Sequence, residues 1–317
     1  MSTQKLTAVV ITAFLAFINT CHADQNTNIT FTENMFYPES ITWPAKQSRF
    51  FVSSVAQGSV GKVSVDGKFE TFIKDDRLVS TFGVRVDDAH DRLWVVTGDI
   101  GASTHSSPST LNKLSAVAVY DTKSAECLGY YDLTRLQNGP HFANDVAVDD
   151  DGNAYITDSA AAVIYRISNS GSISIIAQSP LFKVTTGFGL NGIVYNTSGY
   201  LLVGKHATGE ILKINISNPT KIERVNLPEP ILGMDGMTLV DKKHLVVAVN
   251  LGTGRAVDLV SDDEWMSAKI IKTKQSVTGF PTSATTSGGN IWILNSRLDT
   301  LFDKKAAKVN EFIIQKF

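Results

Sequence analysis

NDVAVDDDGNAYITDSAAAVIYRI (residues 144–167), NGIVYNTSGYLLVGKHATGEILKI (191–214) and DGMTLVDKKHLVVAVNLGTGRAVDL (235–259) align end to end. Each segment opens on a carboxamide or carboxylate, continues with Asp or Gly, and then reads as an apolar strand, a polar turn and a second apolar strand. The same register extends outward to PESITWPAKQSRFFVSS (38–54), with Glu39 at the head position. It also reaches GVRVDDAHDRLWVVTGD (83–99), headed by Phe82, and PTSATTSGGNIWILNSR (281–297), headed by Pro281. The heads recur at roughly 45 residues, with one longer gap between Phe82 and Asn144. A period of about 40 to 50 residues with several short strands per copy is the signature of a β-propeller. The strands run apolar or alternate and are punctuated by DDDG, NTSG, SNSG and SGG turns. No amphipathic helix of three turns stands out. The expected fold is therefore all-β, one six-bladed β-propeller over residues 24–317 with a central metal site.

The longer gap contains TGDIGASTHSSPSTLNKLS (97–115), a polar, turn-rich insert that reads either as a lid over a site or as a surface loop. The N-terminus carries Lys5, an uncharged apolar run over residues 6–18 that is too short to span a bilayer, and Cys21-His22-Ala23 before Asp24. This is the pattern of a signal peptide, residues 1–23, on a secreted chain without a membrane span in its mature form. Three sequons, at Asn28, Asn196 and Asn215, are expected glycan acceptors in a eukaryotic host, with Asn28 in the tail and Asn196 in a hairpin turn. Cleavage leaves Cys127 alone, so no internal disulfide is expected, and AECLGYYDL reads as a buried strand around it. The formal net charge of −2 comes without a basic stripe, which argues against nucleic acid as a partner. A closed ring of sheets has no edge that demands another chain, so a monomer is expected.

In a propeller the first strand of each blade lines the central channel, so the heads face one mouth. Glu39, Asn144, Asn191 and Asp235 would then present two carboxylates and two amide oxygens, with no Cys or His. Such a set suits a hard cation, with Ca²⁺ expected and another divalent ion as the alternative. Asn before a strand also serves as a turn residue, and the ion reading rests on four of six heads bearing oxygen in one register.

With these residues in place, the chain from about residue 33 to 317 resembles the senescence marker protein/gluconolactonase superfamily of six-bladed propellers. That superfamily includes regucalcin, bacterial gluconolactonases and phosphotriesterase-like lactonases. The resemblance implies calcium ligands at Glu39 in FYPESITW, Asn144 in FANDVAVD, Asn191 in GLNGIVY and Asp235 in GMDGMTL, with Asn144 closer to substrate in regucalcin-like members. The arginine that many sugar lactonases carry just before the Asn144 position is absent, since PHFAND has His141, Phe142 and Ala143 there. An apolar ester or lactone is accordingly expected ahead of a sugar-acid lactone.

The expected activity is calcium-dependent hydrolysis of a small ester, lactone or phosphotriester. Asp235 and His141 are the candidate proton acceptors, and Asn144, His141, Phe82 and His105 the candidate substrate contacts. A non-catalytic propeller that binds a ligand or partner around a structural ion is the alternative. A strictosidine-synthase-like condensation, or an isomerase, is a further one that retention of all four oxygen donors disfavours. His206 reads as a residue on the far side, His90 and His244 as turn residues, and Asp158 as a turn cap. Trp43, Trp94 and Trp292 read as packing between blades.

Overall fold

A computed structural model of the chain describes residues 28–317, so the expected signal peptide lies outside the described residues. The ring begins and ends in the same sheet. Strand β1 (Ile29–Thr32) pairs antiparallel with the last strand of the chain, with Ile29 opposite Ile314, and closes the final blade from outside.

Six four-stranded antiparallel sheets follow. Blade one is β2 (Pro38–Thr42), β3 (Arg49–Ser54), β4 (Ser59–Ser64) and β5 (Phe69–Lys74). Blade two is β6 (Ser80–Asp87), β7 (Arg92–Gly98), β8 (Ser115–Asp121) and β9 (Cys127–Asp132). Blade three is β10 (Ala143–Val148), β11 (Ala154–Asp158), β12 (Val163–Ile167) and β13 (Ile173–Gln178). Blade four is β14 (Leu190–Asn196), β15 (Tyr200–Lys205), β16 (Ile211–Asn215) and β17 (Ile222–Arg224). Blade five is β18 (Met234–Leu239), β19 (His244–Val249), β20 (Arg255–Val260) and β21 (Lys269–Gln275). Blade six is β22 (Pro281–Ser287), β23 (Asn290–Asn295) and β24 (Glu311–Lys316), completed by β1. The expected six-bladed propeller is thus observed. The one α-helix among the described residues, α1 (Leu298–Phe302), is a single short turn between β23 and β24.

Burial follows the radial order. The inner strand β2 is buried along its whole length, whereas the outermost β21 is mostly exposed or half-buried. Inner strands touch blade to blade all the way round, from β2 to β6 and finally from β22 back to β2. Apolar layers fill the wedges between blades. Trp94, Val96 and Val117 of blade two pack on Val146, Ile156 and Tyr165 of blade three, and Tyr155 and Ile164 of blade three on Ile193, Leu201 and Val203 of blade four. Trp292 of blade six meets Phe50 of blade one across their seam, with ring centroids 5.7 Å apart, and Trp43 packs on the same ring from within blade one at 4.6 Å. The tryptophans are packing residues, as expected.

Three sequence readings change. Cys127 is exposed, because it begins β9, an outermost strand, and its sulfur faces Arg77 at 3.1 Å. Asn196 is buried, and its side-chain nitrogen, the atom that a glycan would take, donates to the Lys242 carbonyl at 2.9 Å. The third concerns the register of blade six. Every inner strand carries a bulge at its head: Glu39-Ser40, Phe82-Gly83, Asn144-Asp145, Asn191-Gly192 and Asp235-Gly236 each interrupt the pairing. In β22 the irregularity falls at Thr282, between Pro281 and Ser283, which makes Thr282 the structural head rather than Pro281. Its hydroxyl donates to the Glu39 carbonyl at 2.6 Å and joins blade six to blade one.

A candidate metal and substrate cavity at the channel mouth

A bulge inserts an extra residue and re-aims the side chains beside it. Here it turns the heads Glu39, Phe82, Asn144, Asn191 and Asp235 toward the mouth and leaves the residue after each against the neighbouring blade. At Gly192 a Cβ would lie 2.3 Å from the Asp235 carbonyl oxygen, so only glycine permits the approach. In blade three the equivalent residue, Asp145, is buried and accepts Val146 N–H at 2.8 Å and Ile193 N–H from blade four at 3.1 Å. Farther along the channel Arg85, in blade two, partly offsets the Asp145 charge.

Glu39, Asn144, Asn191 and Asp235 line one cavity of about 150 Å³. All four are buried. Asn144 donates from Nδ2 to Ser159 Oγ at 3.2 Å, which leaves its carbonyl oxygen free. Asp235 Oδ2 accepts Asn250 Nδ2 at 2.5 Å. Glu39 Oε2, Asn144 Oδ1 and Asn191 Oδ1 are buried atoms without any hydrogen-bond partner. Buried oxygens without donors are costly, on the order of 1–3 kcal/mol each, and three together at one cavity call for a counterpart. Desolvation, then the Asp235 and Asp145 carboxylates, raise the Glu39 pKa well above its ordinary range. Desolvation and then Asp145 push Asp235 up to about 8. This donor set fits a hard cation, which would supply both the missing partner of the oxygens and the missing counter-charge. Among the described residues no group of three or more His, Cys, Asp or Glu is placed to hold a metal, consistent with a set whose other two members are amides.

The remaining wall is apolar. Phe82 stands edge-to-face on Phe142, with centroids 4.8 Å apart, Phe142 is 5.5 Å from Phe188, and Phe188 meets His206 edge-on at 5.6 Å. Ile100, Phe280, Leu298 and Phe302 complete the lining. Phe188, Leu251 and Phe302 are nearly half exposed and form a rim that opens to solvent. A second compartment of about 210 Å³ shares Ile100, Phe142 and Phe188 with the first.

The expected site residues are therefore distributed unequally. Glu39, Phe82, Asn144, Asn191 and Asp235 meet at the cavity. His141 lines only the second compartment, beneath Phe142. Its Nδ1 lies 3.0 Å from Asp158 Oδ2 and its Nε2 2.8 Å from the Gln137 carbonyl. Both ring nitrogens face acceptors, and the hydrogen bond to Asp158 is foremost in raising its pKa, so the ring is engaged on both sides away from the first cavity. Asp158 also accepts the N–H groups of Phe142, Ala160 and Ala161, the turn-capping role that was expected. His105 is exposed on the insert, with Nδ1 3.2 Å from the Leu78 carbonyl, and does not line the cavity; Ile100 is the insert residue that does. The insert folds on the buried Asp99, which accepts from Gly101, Ser106, Ser107 and Thr110. It is pinned to blade one by Thr104 N–H on the Ala56 carbonyl.

His206 and Asn250 are additions. His206 is buried and lines the cavity, contrary to the far-side placement expected for it. The cause is antiparallel pairing. Leu190, next to the head Asn191, lies opposite Lys205, so the end of a second strand returns to the mouth where the first began. The residues just after the second strands, Ser159, His206 and Asn250 among them, form an outer tier around the heads.

No protein-family model and no curated protein sequence matches the chain. Solved structures do. The Malassezia sympodialis allergen Mala s 1 superposes with a TM-score of 0.72 at 16% identity, covering 91% of this chain and 95% of the other. A gluconolactonase from Xanthomonas campestris superposes with a TM-score of 0.61 at 15% identity, over 91% and 89% of the two chains. What these chains share with this one is the propeller fold. A luciferin-regenerating enzyme also shares this propeller, with a TM-score of 0.62 at 14% identity over 91% and 95%. At these identities the likeness establishes the architecture of the propeller, and its chemistry is argued from the cavity.

Proposed function

We propose that this propeller is a calcium-dependent hydrolase of small esters or lactones. The observation that carries the reading is the convergence of three unpartnered buried oxygens, on Glu39, Asn144 and Asn191, with the Asp235 carboxylate at one cavity. Those four residues would hold the ion, which when bound supplies a Lewis acid for the carbonyl oxygen of the substrate.

The protein's own residues divide the remaining work. Ser159 orients the Asn144 amide, and Asn250 fixes Asp235. The aromatic wall from Phe82 to Phe188 receives the apolar part of the substrate and excludes bulk water, which strengthens polar interactions at the reacting centre. An opening lined by Phe188, Leu251 and Phe302 favours turnover over a sealed structural ion. The shared fold with a gluconolactonase supports the reaction class.

The reading includes a secreted monomer released by cleavage after Ala23, which N-terminal mass analysis and size-exclusion chromatography of the exported protein test. The activity is tested on a panel of aryl esters and lactones with and without chelator. Turnover that chelation abolishes and calcium restores is expected. A calcium-loaded protein that hydrolyses none of the panel would overturn the hydrolytic reading and leave the binding propeller.

A further inference from the structure

Hydrolysis needs a group that accepts a proton from water and returns it to the leaving oxygen. Asp235, one expected proton acceptor, would be taken up with Glu39 as a ligand of the proposed cation and is held by Asn250, and His141, the other, has acceptors at both ring nitrogens. His206 differs. It follows β15 directly and is clamped between blades, with its N–H on the Gly189 carbonyl and its C=O accepting Gly233 N–H. Its Nε2 lies 2.9 Å from Asn250 Oδ1. The orientation of that amide is set on its other side, where Nδ2 donates to Asp235 Oδ2 at 2.5 Å. With Asp235 ionised, as it would be around a bound cation, Asn250 Oδ1 is an acceptor and His206 carries its proton on Nε2. The Nδ1 lone pair has no hydrogen-bond partner among the described residues, on a ring that lines the cavity.

Resting on the hydrolytic reading above, we infer that His206 is the proton-transferring catalytic residue, held in the Nε2–H tautomer by Asn250, and that Asn250 is its positioning residue. Burial lowers the His206 pKa and so keeps the ring neutral and ready to accept a proton. Nδ1 takes one proton from water as the water oxygen bonds to the carbonyl carbon and the C=O π pair moves to oxygen. When that pair re-forms the carbonyl, the ester C–O bond breaks and the imidazolium returns the proton to the departing alkoxide. One water and one ester thereby become one acid and one alcohol, with His206 neutral again. Asn250 touches both the proton-transfer residue and a head carboxylate, so it fixes the distance between the base and the reacting centre.

Two measurements on the full mature protein test this. The first is long-range ¹H–¹⁵N correlation of the histidine rings of the calcium-loaded protein near neutral pH, which requires no turnover. His206 is expected as a neutral ring protonated on Nε2, losing that fixed tautomer in Asn250→Ala; a doubly protonated ring or an Nδ1–H tautomer overturns the inference. The second is turnover of an aryl ester by His206→Ala and by His206→Gln, each checked for wild-type calcium affinity and thermal unfolding. A fall in kcat of about 10²-fold or more is expected, with little change in KM and partial rescue of His206→Ala by added imidazole. Activity within threefold of wild type in either variant overturns the role of His206 alone. Absence of turnover by the wild type overturns the hydrolytic reading and this role with it.

Discussion

Glu39 and Asp235 share one buried cavity, and after desolvation the Asp235 carboxylate is the strongest influence raising the Glu39 pKa. Each group binds its proton more tightly in the folded protein than in the unfolded chain. Their contribution to stability is therefore fully present below the ordinary carboxylate range and is lost as pH rises, for Asp235 through about 8. In chelator the melting temperature of the wild type is expected to fall between about pH 4 and 8. Asp235→Asn, which removes one of the two charges, should show a shallower slope, and calcium should flatten the wild-type slope by supplying the counter-charge. Thermal unfolding across this range checks it, and equal slopes in wild type and variant contradict it.

His141 and the Asp158 carboxylate form a buried hydrogen-bonded pair that holds the chain entering blade three, and Asp158 raises the His141 pKa. His141→Ala strands that carboxylate, a loss of about 3–5 kcal/mol. The expected result is a large drop in melting temperature that calcium does not repair, with kcat per folded molecule nearly unchanged. A selective loss of kcat with unchanged stability would return His141 to the chemistry.

Gly192 sits where a Cβ would meet the Asp235 carbonyl oxygen at 2.3 Å. Gly192→Ala forces blades four and five apart, at a cost of about 1–3 kcal/mol. Because Asn191 and Asp235 flank that seam, weaker calcium binding should accompany the lower stability. Calorimetric titration and thermal unfolding of the variant measure both, and unchanged calcium affinity would show that the seam does not set the spacing of the heads.

Phe188 belongs to both compartments and to the rim. Phe188→Ala should raise KM for aryl esters by about tenfold, the equivalent of about 1.4 kcal/mol. Small aliphatic esters, which do not reach the rim, should be hardly affected. Equal effects on both substrate classes would place Phe188 outside the binding path.

The propeller and the four oxygen heads were legible because both are periodic. A head recurs once per blade, and the inner strand beside it is buried on both faces, so residue type and position vary together. Blade six differs by one residue because Pro281 and Thr282 begin a strand rich in Thr and Ser that marks no register by hydrophobicity. Cys127 looked like core for the converse reason: AECLGYYDL is apolar, but the strand is outermost. His206 and Asn250 were hidden by topology. They stand close to the heads only because antiparallel strands bring an end beside a beginning, a relation that pairing register reveals and linear spacing conceals. Ser159, His206 and Asn250 align as the residues that follow each second strand, and it is the antiparallel return of that strand that carries them to the mouth.

The central claim is that Glu39, Asn144, Asn191 and Asp235 form one cation site, and titration calorimetry of calcium into chelator-stripped protein tests it most directly. The account predicts one site per chain in the wild type, greatly weakened in Glu39→Gln and in Asp235→Asn, although both variants relieve buried charge and should fold. Absence of calcium binding by the folded wild type, or binding that both substitutions leave unchanged, would contradict it.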